Sequence, residues 1–224
     1  MKRYAIIVAG GSGQRMNSEV PKQFLKIKNE VILMKSIRAF ALFDPAIEII
    51  VALPENQLDI WRELIDAEQF EIKHTVVKGG ATRFHSVKNA LSAIGYDGFV
   101  AIHDGVRPLV SGDTINAAFE TAKNKGNAVP YIDLTDSIRF VDGEKNTTTD
   151  RSKYKSIQTP QVFDTILIKK AYEQEFSESF TDDASVVEKL GIKINLVRGN
   201  PENIKITTQV DLKIAEALSD YLPA

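Results

Sequence analysis

Two patterns of apolar residues alternate through the first 130 residues of the chain. In one, short runs of consecutive apolar residues, many of them β-branched, are typical of buried strands. In the other, apolar residues recur every three or four positions, which predicts helices with one buried face. The predicted strands cover residues 4–8, 47–53, 73–77, 99–102 and 128–131, and the predicted helices cover residues 31–43, 58–70, 82–94 and 111–123.

This alternation predicts an α/β fold with a mostly parallel sheet and right-handed crossovers. In such a sheet, ligands bind at the carboxyl ends of the strands. Three loops would meet at that edge: the glycine-rich loop after residue 8, the loop at Gly79 and Gly80, and the loop after Ile102. The candidate chemistry is therefore expected in these loops.

Residues 132–157 interrupt the alternation. Polar and turn-forming residues dominate this segment, and a few apolar residues before Asp142 and Gly143 favour two short strands joined as a hairpin. A disordered surface loop is the alternative, but a loop of this length in a compact domain usually has a function. We expect a single domain over residues 1–224, with the hairpin within residues 133–157.

The glycine-rich loop after the first strand is the first candidate site. Gly10, Gly11 and Gly13 allow backbone N–H groups to approach a ligand closely, and the cations Arg15 and Lys22 follow them. This order favours a backbone cradle for phosphates with positive charge at its rim. A tight strand-to-helix turn without a ligand is the alternative. No Gly-Lys-Ser/Thr follows, so the loop is not a Walker A motif.

The second loop combines glycines with a hydroxyl group. The N–H groups of Gly79 and Gly80 and the side chain of Ser86 can face a nucleobase or a ribose. The alternative is a plain glycine turn followed by an ordinary helix, with Arg83 and His85 in solvent.

The third loop contains a carboxylate directly after a strand. Asp104 beside a phosphate site suits a magnesium ion, bound directly or through water. The alternative is a turn in which Arg107 is the salt-bridge partner of Asp104. His103 is interpreted as a structural histidine rather than a general base.

Towards the C-terminus, the polar candidates occur within patterns that also have structural interpretations. Thr181 with the acids after it predicts the start of a helix, with Thr181 as its cap. Lys205 alternates with Ile204 and Ile206, which indicates a half-buried strand with the lysine facing away from the isoleucines. The last helix is expected to begin with a capping box at Thr208 and to bury Val210, Ile214 and Leu218.

Composition excludes several classes of function. The chain has 28 Lys and Arg against 30 Asp and Glu, a formal net charge of −2, so binding of nucleic acid is not expected and phosphate binding has to be local. Without cysteine there is no disulfide or thiolate chemistry, and the three histidines lack the spacing of a zinc site. No membrane span or signal peptide is predicted, so we expect no membrane partner and a cytoplasmic protein.

Seven stretches, in the same order along the chain, resemble the polyol-phosphate cytidylyltransferases, a group of the sugar-nucleotide-forming nucleotidyltransferases. They are Ala9-Gly10-Gly11-Ser12-Gly13-Gln14-Arg15-Met16, Pro21-Lys22-Gln23, Gly79-Gly80-Ala81-Thr82-Arg83-Phe84-His85-Ser86-Val87, His103-Asp104-Gly105-Val106-Arg107-Pro108, Thr159-Pro160-Gln161, Thr181-Asp182-Asp183-Ala184 and Asn203-Ile204-Lys205-Ile206-Thr207. The resemblance implies a Rossmann-like, mostly parallel sheet of the nucleotidyltransferase type. It also implies that residues 133–157 form a protruding β-arm through which two subunits form a homodimer.

The resemblance assigns a role to each candidate residue. The expected nucleotide-binding residues are Ala9, Gly10, Gly11, Gly13, Gly79, Gly80, Ser86 and Asp104. The expected catalytic residues are Arg15, Lys22, Arg151 and Lys205, with Arg151 reaching into the partner's site. Arg107, Thr159 and Thr181 are expected to bind the second substrate, and Asp104 to bind Mg²⁺.

The implied reaction is transfer of the cytidylyl group of CTP to 2-C-methyl-D-erythritol 4-phosphate, with release of pyrophosphate, in the non-mevalonate isoprenoid pathway. Two alternatives stay open. One is a cytidylyltransferase for a pentitol phosphate such as ribitol 5-phosphate. The other is a non-catalytic nucleotide-binding domain that has kept the glycine-rich loop.

Overall fold

The strand predicted at the start of the chain is an interior strand of the main sheet. The structure, a computed structural model, describes residues 1–10 and 20–219. Its strands are β1 Lys2–Val8, β2 Lys26–Ile27, β3 Glu30–Val31, β4 Glu48–Leu53, β5 Thr75–Lys78, β6 Gly98–Asp104, β7 Asn127–Asp133, β8 Ile138–Asp142, β9 Lys145–Thr149, β10 Lys155–Ile157, β11 Gln161–Asp164 and β12 Leu196–Arg198. Its α-helices are α1 Ile32–Phe43, α2 Leu58–Ala67, α3 Arg83–Leu91, α4 Gly112–Lys125, α5 Thr165–Ala171, α6 Asp183–Glu188 and α7 Gln209–Leu218. The strands and helices predicted over the first 130 residues are confirmed, with shifts of a few residues at their ends.

The main sheet of the described chain has the strand order β10-β7-β11-β6-β1-β4-β5, with β12 paired to β7. β6, β1, β4 and β5 are parallel, whereas β11 is antiparallel to both β6 and β7. The register pairs Val8 with Ala52 on one side and with Asp104 on the other. These strands therefore end at one level, which brings the three candidate loops to one edge and confirms the predicted α/β sheet.

Helices cover both faces of this sheet, as expected for parallel strands. Ala5 and Ile7 of β1 point into a cluster with α1, α2 and α4, whereas Tyr4 and Ile6 point into a cluster with α3, α5 and α6. Alternate side chains of one strand thus enter two separate cores. This arrangement explains why β1 is apolar throughout rather than alternating.

The arm is a two-stranded hairpin, as predicted. β8 and β9 pair in antiparallel register, and Gly143 in the turn between them has a φ of 57°, in the left-handed region that favours glycine. Phe140 and Val141 on this hairpin are 62% and 64% exposed. Two neighbouring apolar side chains therefore face solvent on an element that the described part of this chain does not cover.

Two local predictions near the C-terminus are wrong. Asp182, not Thr181, caps α6, because its carboxylate accepts from the Ser185 N–H while the Ser185 hydroxyl closes a capping box. Thr181 lies one residue before the cap and is exposed.

The predicted buried face of α7 is also wrong for two of its three residues, Val210 and Ile214. The Thr208 capping box is confirmed, but Val210 and Ile214 are 65% and 44% exposed. Ala215 is the buried residue, with Leu212 and Leu218 partly buried beside it. The predicted set and the set Leu212, Ala215 and Leu218 both fit a helical period. The second set is buried because α7 packs against the small cluster around Ile206.

No helix in the described ranges is long and apolar enough to cross a membrane.

Candidate functional site

A cavity of about 290 Å³ opens at the carboxyl ends of β1 and β6. Its lining residues are Val8, Ala9, Gly10, Lys22, Gln23, Gly80, Ala81, Thr82, Arg83, Ser86, Asp104, Val106 and Lys205. Seven residues proposed from sequence therefore lie around one space: Ala9, Gly10, Lys22, Gly80, Ser86, Asp104 and Lys205. Three other candidates, Gly11, Gly13 and Arg15, lie outside the described residues.

The first loop is anchored where it leaves the sheet. The Ala9 N–H donates to the Ala52 carbonyl at 3.0 Å, and the buried side-chain amide of Gln23 donates to the Ala9 carbonyl at 2.9 Å. The same amide also donates to Gln57 before α2. Gln23 thus fixes the end of β1 and holds its neighbour Lys22 at the cavity rim. This role of Gln23 was not predicted from the sequence, although Gln23 belongs to the Pro21-Lys22-Gln23 motif.

The second loop is held in place by Ser86. Its hydroxyl accepts from the Gly80 N–H at 3.0 Å and donates to the Thr82 carbonyl at 3.0 Å. Gly79 is fixed to the end of β4 by a hydrogen bond to the Leu53 carbonyl. A Cβ on Gly80 would lie 2.3 Å from the His85 Cβ, so only glycine fits at that position. Ser86 therefore shapes the loop that presents its glycine backbone to the cavity.

The first and second loops meet across the cavity. A Cβ added to Gly10 would lie 3.6 Å from the Ser86 hydroxyl oxygen. Gly10 and Gly80 are exposed at this point. The N–H groups of Gly79 and Gly80, predicted to face a ligand, instead donate to Leu53 and Ser86 within the protein.

Three cations surround the carboxylate of Asp104 at the base of the cavity. Oδ2 is 3.0 Å from Lys205 Nζ and 3.2 Å from Arg107 Nε, and Oδ1 is 3.5 Å from Arg83 Nε. Burial alone would raise the pKa of Asp104, but these three positive charges hold it well below its usual range. Asp104 is therefore ionised, and it gathers the cations of three separate segments.

Arg107 connects the Asp104 carboxylate to the C-terminal segment, residues 203–207. Its guanidinium donates to the Asn203 carbonyl at 2.7 Å as well as contacting Asp104. Asn203 in turn donates to the Thr159 carbonyl at 2.8 Å. Residues 203–207 form no strand in this structure, so the predicted strand around Lys205 is wrong. These hydrogen bonds, rather than a β-ladder, direct Lys205 towards Asp104.

His103 and Thr159 form a directed hydrogen-bond chain behind Asp104. His103 Nε2 is 3.0 Å from the Arg107 carbonyl, which can only accept, so this nitrogen bears the proton. Nδ1 then accepts from the Thr159 hydroxyl at 3.0 Å, and that hydroxyl accepts from the Asp104 N–H at 3.1 Å. Both ring nitrogens have partners and His103 is fully buried, which agrees with its interpretation as a structural histidine.

Arg83 is paired with two carboxylates, whereas one interpretation of the sequence placed it in solvent. Its guanidinium donates twice to the fully buried Asp183, at 2.8 and 2.7 Å, while its Nε faces Asp104. Burial alone would lower the pKa of Arg83, but Asp183 and Asp104 together raise it. The partner is 100 positions away in the chain, so no local pattern could have indicated this pair.

Thr181 and Arg151 are not among the residues lining the cavity. Thr181 is exposed directly before the cap of α6, two residues from Asp183. Arg151 begins a short 3₁₀ turn at the base of the arm, where its exposed side chain donates to the Thr135 carbonyl. Gly79, Arg107 and Thr159 also do not line the cavity. Arg107 and Thr159 each contact Asp104, which does, and Gly79 precedes the lining residue Gly80 in the chain.

The donor set for a metal ion is small. Among the described residues, no group of three His, Cys, Asp or Glu side chains could hold a metal, and Asp104 is the one carboxylate lining the cavity. Mg²⁺ is commonly bound by one or two carboxylates together with substrate phosphates and water. The site therefore fits Mg²⁺ that is bound jointly with a phosphate ligand, and does not fit an all-protein metal cage.

Comparison with known proteins gives a consistent result over the whole chain. A family model described as 2-C-methyl-D-erythritol 4-phosphate cytidylyltransferase matches residues 4–220. The protein of that name from Bacteroides fragilis is 52% identical over 218 residues, covering 97% of this chain and 100% of that protein. The one from Phocaeicola vulgatus is 48% identical with the same coverage. The solved structure of 4-diphosphocytidyl-2C-methyl-D-erythritol synthase from Anaerococcus prevotii superposes with a TM-score of 0.83 at 28% identity, covering 98% of this chain and 96% of that one.

We predict that His103 stays neutral well below the pH at which an exposed histidine titrates. Burial lowers its pKa to about 4, against the opposing effect of the Asp104 charge. The unfolded chain takes up this proton near pH ~6.5. Because the unfolded state then binds more protons, the free energy of unfolding should decrease as the pH falls from the unfolded to the folded pKa.

NMR titration of the His103 Cε1 proton, assigned by its loss in His103→Gln, measures this pKa. A titration midpoint near ~6.5, the value for an exposed histidine, would contradict the burial and tautomer described above.

Proposed function

We infer that this protein, which belongs to the 2-C-methyl-D-erythritol 4-phosphate cytidylyltransferase family, transfers the cytidylyl group of CTP to 2-C-methyl-D-erythritol 4-phosphate. The products are 4-diphosphocytidyl-2-C-methyl-D-erythritol and pyrophosphate. The observation that carries this conclusion is the match to the family along nearly the whole chain, with high identity to relatives of that name. The cavity lined by glycine backbone and cations supplies the chemistry that the reaction requires.

The reaction needs two anions to be held together. A phosphate oxygen of the polyol phosphate attacks the α-phosphorus of CTP in line, a new P–O bond forms, and the bond to the leaving pyrophosphate breaks. No covalent intermediate with the protein is required. The protein therefore has to overcome the repulsion between the two phosphates and stabilise the charge that develops during transfer.

We propose that the glycine loops hold the nucleotide. Backbone groups at Ala9, Gly10 and Gly80 and the loop shaped by Ser86 would contact the base and ribose. Gly11 and Gly13, which lie outside the described residues, are assigned to the nucleotide from the family motif alone. The exposed backbone of Gly10 and Gly80, which lines the same cavity, supports this assignment. Arg15 and Lys22 would then neutralise charge on the α-phosphate and the leaving pyrophosphate.

We assign Lys205 and Arg107 to the polyol phosphate. The Lys205 side chain is 43% exposed and lines the cavity. Its ammonium group can therefore contact a phosphate while it keeps its ion pair with Asp104. Arg107 lies beside the same carboxylate. Thr159 supports this half of the site through Asp104, and Thr181 would contribute from the segment before α6.

We propose that Asp104 holds Mg²⁺ together with the nucleotide phosphates. Bound there, the ion would neutralise phosphate charge without proton transfer. The low pKa of Asp104 supports this role because the carboxylate stays ionised. The ion would share the carboxylate oxygens with Arg83, Arg107 and Lys205, which already contact them.

We further propose a homodimer in which the arm places Arg151 in the partner's site. Phe140, Val141 and Tyr154 are exposed on or beside the hairpin, which is typical of a surface covered by another chain. Arg151 is exposed at the base of the arm and is not a lining residue of its own subunit's cavity. A cytoplasmic location, where CTP is available, remains a prediction.

The direct test of function is pyrophosphate release measured with each of the four nucleoside triphosphates and with two polyol phosphates. We expect release with CTP and 2-C-methyl-D-erythritol 4-phosphate. Release only with ribitol 5-phosphate would favour the pentitol enzyme. Nucleotide binding without release from any combination would favour the non-catalytic domain.

Loss of a cation at the nucleotide phosphates should slow the chemical step. We expect Lys22→Ala and Arg15→Ala each to lower kcat by about 10²- to 10³-fold, the usual effect of deleting one preorganised donor. Lys26→Ala is the matched control, because Lys26 lies four residues from Lys22, pairs with Glu68 and does not line the cavity. An unchanged kcat in the two site variants would reject their assigned role.

Mixed dimers test the position of Arg151. Arg151→Ala and Lys22→Ala subunits, carrying different tags and co-expressed, should form mixed dimers in which one site is intact. That site combines the Lys22 of one subunit with the Arg151 of the other. With random pairing, activity should recover to about a quarter of the wild-type level. If Arg151 acted within its own subunit, every site would lack one cation and no activity would return.

A further inference from the structure

Arg83 is the one cavity-lining residue in the described chain that pairs with both Asp104 and the start of α6. Its Nε lies 3.5 Å from Asp104 Oδ1, on the nucleotide side of the site. Its two terminal nitrogens donate to both oxygens of Asp183, in the first turn of α6. The side chain thus bridges two segments that β-strand pairing does not join.

Asp183 is a fixed anchor for this guanidinium. It is fully buried, and besides the two bonds from Arg83 it accepts a hydrogen bond from the Tyr172 hydroxyl at 2.6 Å. The Tyr172 ring stacks on Phe84, the residue after Arg83, with centroids 4.6 Å apart. A buried carboxylate with these partners cannot reach a ligand in the cavity. Its effect on the site therefore has to act through Arg83.

The start of α6 is itself tied to the sheet. The buried side chain of Gln161 on β11 accepts from the Ala184 N–H and donates to Asp182, both at 2.8 Å. The segment that ends at Thr181 and Asp182 is thereby fixed relative to β6, which pairs with β11. Arg83 extends this rigid connection from α6 to the cavity.

Arg83 also restricts rotation of the Asp104 carboxylate. Lys205 and Arg107 both contact Oδ2, whereas Arg83 contacts Oδ1. Without Arg83, the described neighbours offer Oδ1 no ion-pair partner, and the carboxylate can rotate about its Cβ–Cγ bond. The planar guanidinium places three different nitrogens on two separate carboxylates, whereas an ammonium group offers its donors from a single nitrogen.

We propose that Arg83 is a positioning residue for cytidylyl transfer: anchored by the buried Asp183, it fixes the orientation of Asp104 and aligns the nucleotide side of the site with the segment before α6. This inference rests on the proposed function, since the aligned groups are those assigned to the two substrates. The competing explanation is an ion pair that only stabilises the fold.

Three variants separate these explanations. Arg83→Lys keeps the charge but loses the bidentate geometry and the third contact. Asp183→Asn changes the anchor without altering any lining residue. Tyr172→Phe removes one hydrogen bond from the anchor and no charge. The control is Asp44→Asn, which breaks the Arg3–Asp44 ion pair (2.9 Å), formed by residues outside the cavity lining.

The readouts are kcat, the KM for each substrate, and Tm. We expect Arg83→Lys and Asp183→Asn each to lower kcat by about 10- to 100-fold, the cost of a small misplacement of reacting groups. KM for CTP and for the polyol phosphate should change less than about threefold, because the binding groups stay in place. The double variant should have a kcat no lower than that of the less active single variant, because both substitutions disrupt the same Arg83–Asp183 pair. Asp44→Asn should alter Tm alone.

A lower Tm with kcat within about twofold of wild type in both variants would overturn the proposal in favour of a purely structural pair. A raised KM for CTP with normal kcat would overturn it in favour of a direct nucleotide contact. If either variant does not fold, Tyr172→Phe decides: a folded protein with reduced kcat supports the proposal, and an unchanged kcat rejects it. Failure of the proposed function is separately visible, because wild type would then release no pyrophosphate.

Discussion

The buried carboxylate of Asp104 is the constraint on which the site depends. An ionised group at the end of an interior strand is tolerated only if opposite charges and hydrogen bonds compensate for its lost hydration. Here Arg83, Arg107 and Lys205 supply the charges from α3, the third loop and the C-terminal segment. Segments far apart in the sequence are thereby brought to one point. The same interaction that satisfies the carboxylate also assembles the cations.

This arrangement explains how a chain with a formal net charge of −2 can bind two polyanionic substrates. Positive charge is concentrated where β1 and β6 end, and cations outnumber carboxylates around the cavity. In the proposed function, the glycine-rich loop after β1 adds backbone donors for phosphate without additional charge. Because Asp104 and Asp183 hold the arginines in fixed positions, little reorganisation is needed when the substrates bind, and preorganisation of this kind lowers the barrier to phosphoryl transfer.

Much of the fold and part of the site could be predicted from local patterns. The alternation of strands and helices, the hairpin at Gly143 and the glycine loops at the sheet edge all follow from residue types at short spacing. The predictions were wrong where a stretch of sequence fits more than one local structure equally well. Thr181 and Asp182 can both cap a helix, and α7 has two apolar faces of helical period, so packing against the residues around Ile206 decided the second case. Arg83 was missed because a charged residue in a first helical turn gives no local sign of a buried partner.

The sequence by itself determined the α/β class, the edge of the sheet where ligands bind, and the family through which the reaction is assigned. These properties depend on periodicity, glycine and motif order, which short stretches of chain carry. Only the tertiary structure decided which candidates share a cavity, that Asp104 is surrounded by three cations, and that His103 and Thr159 orient it from behind. Several of these contacts join residues far apart in the sequence, as between Asp104 and Thr159, which are 55 positions apart. They are decided by how helices pack on both faces of the sheet, a property of the whole chain rather than of any segment.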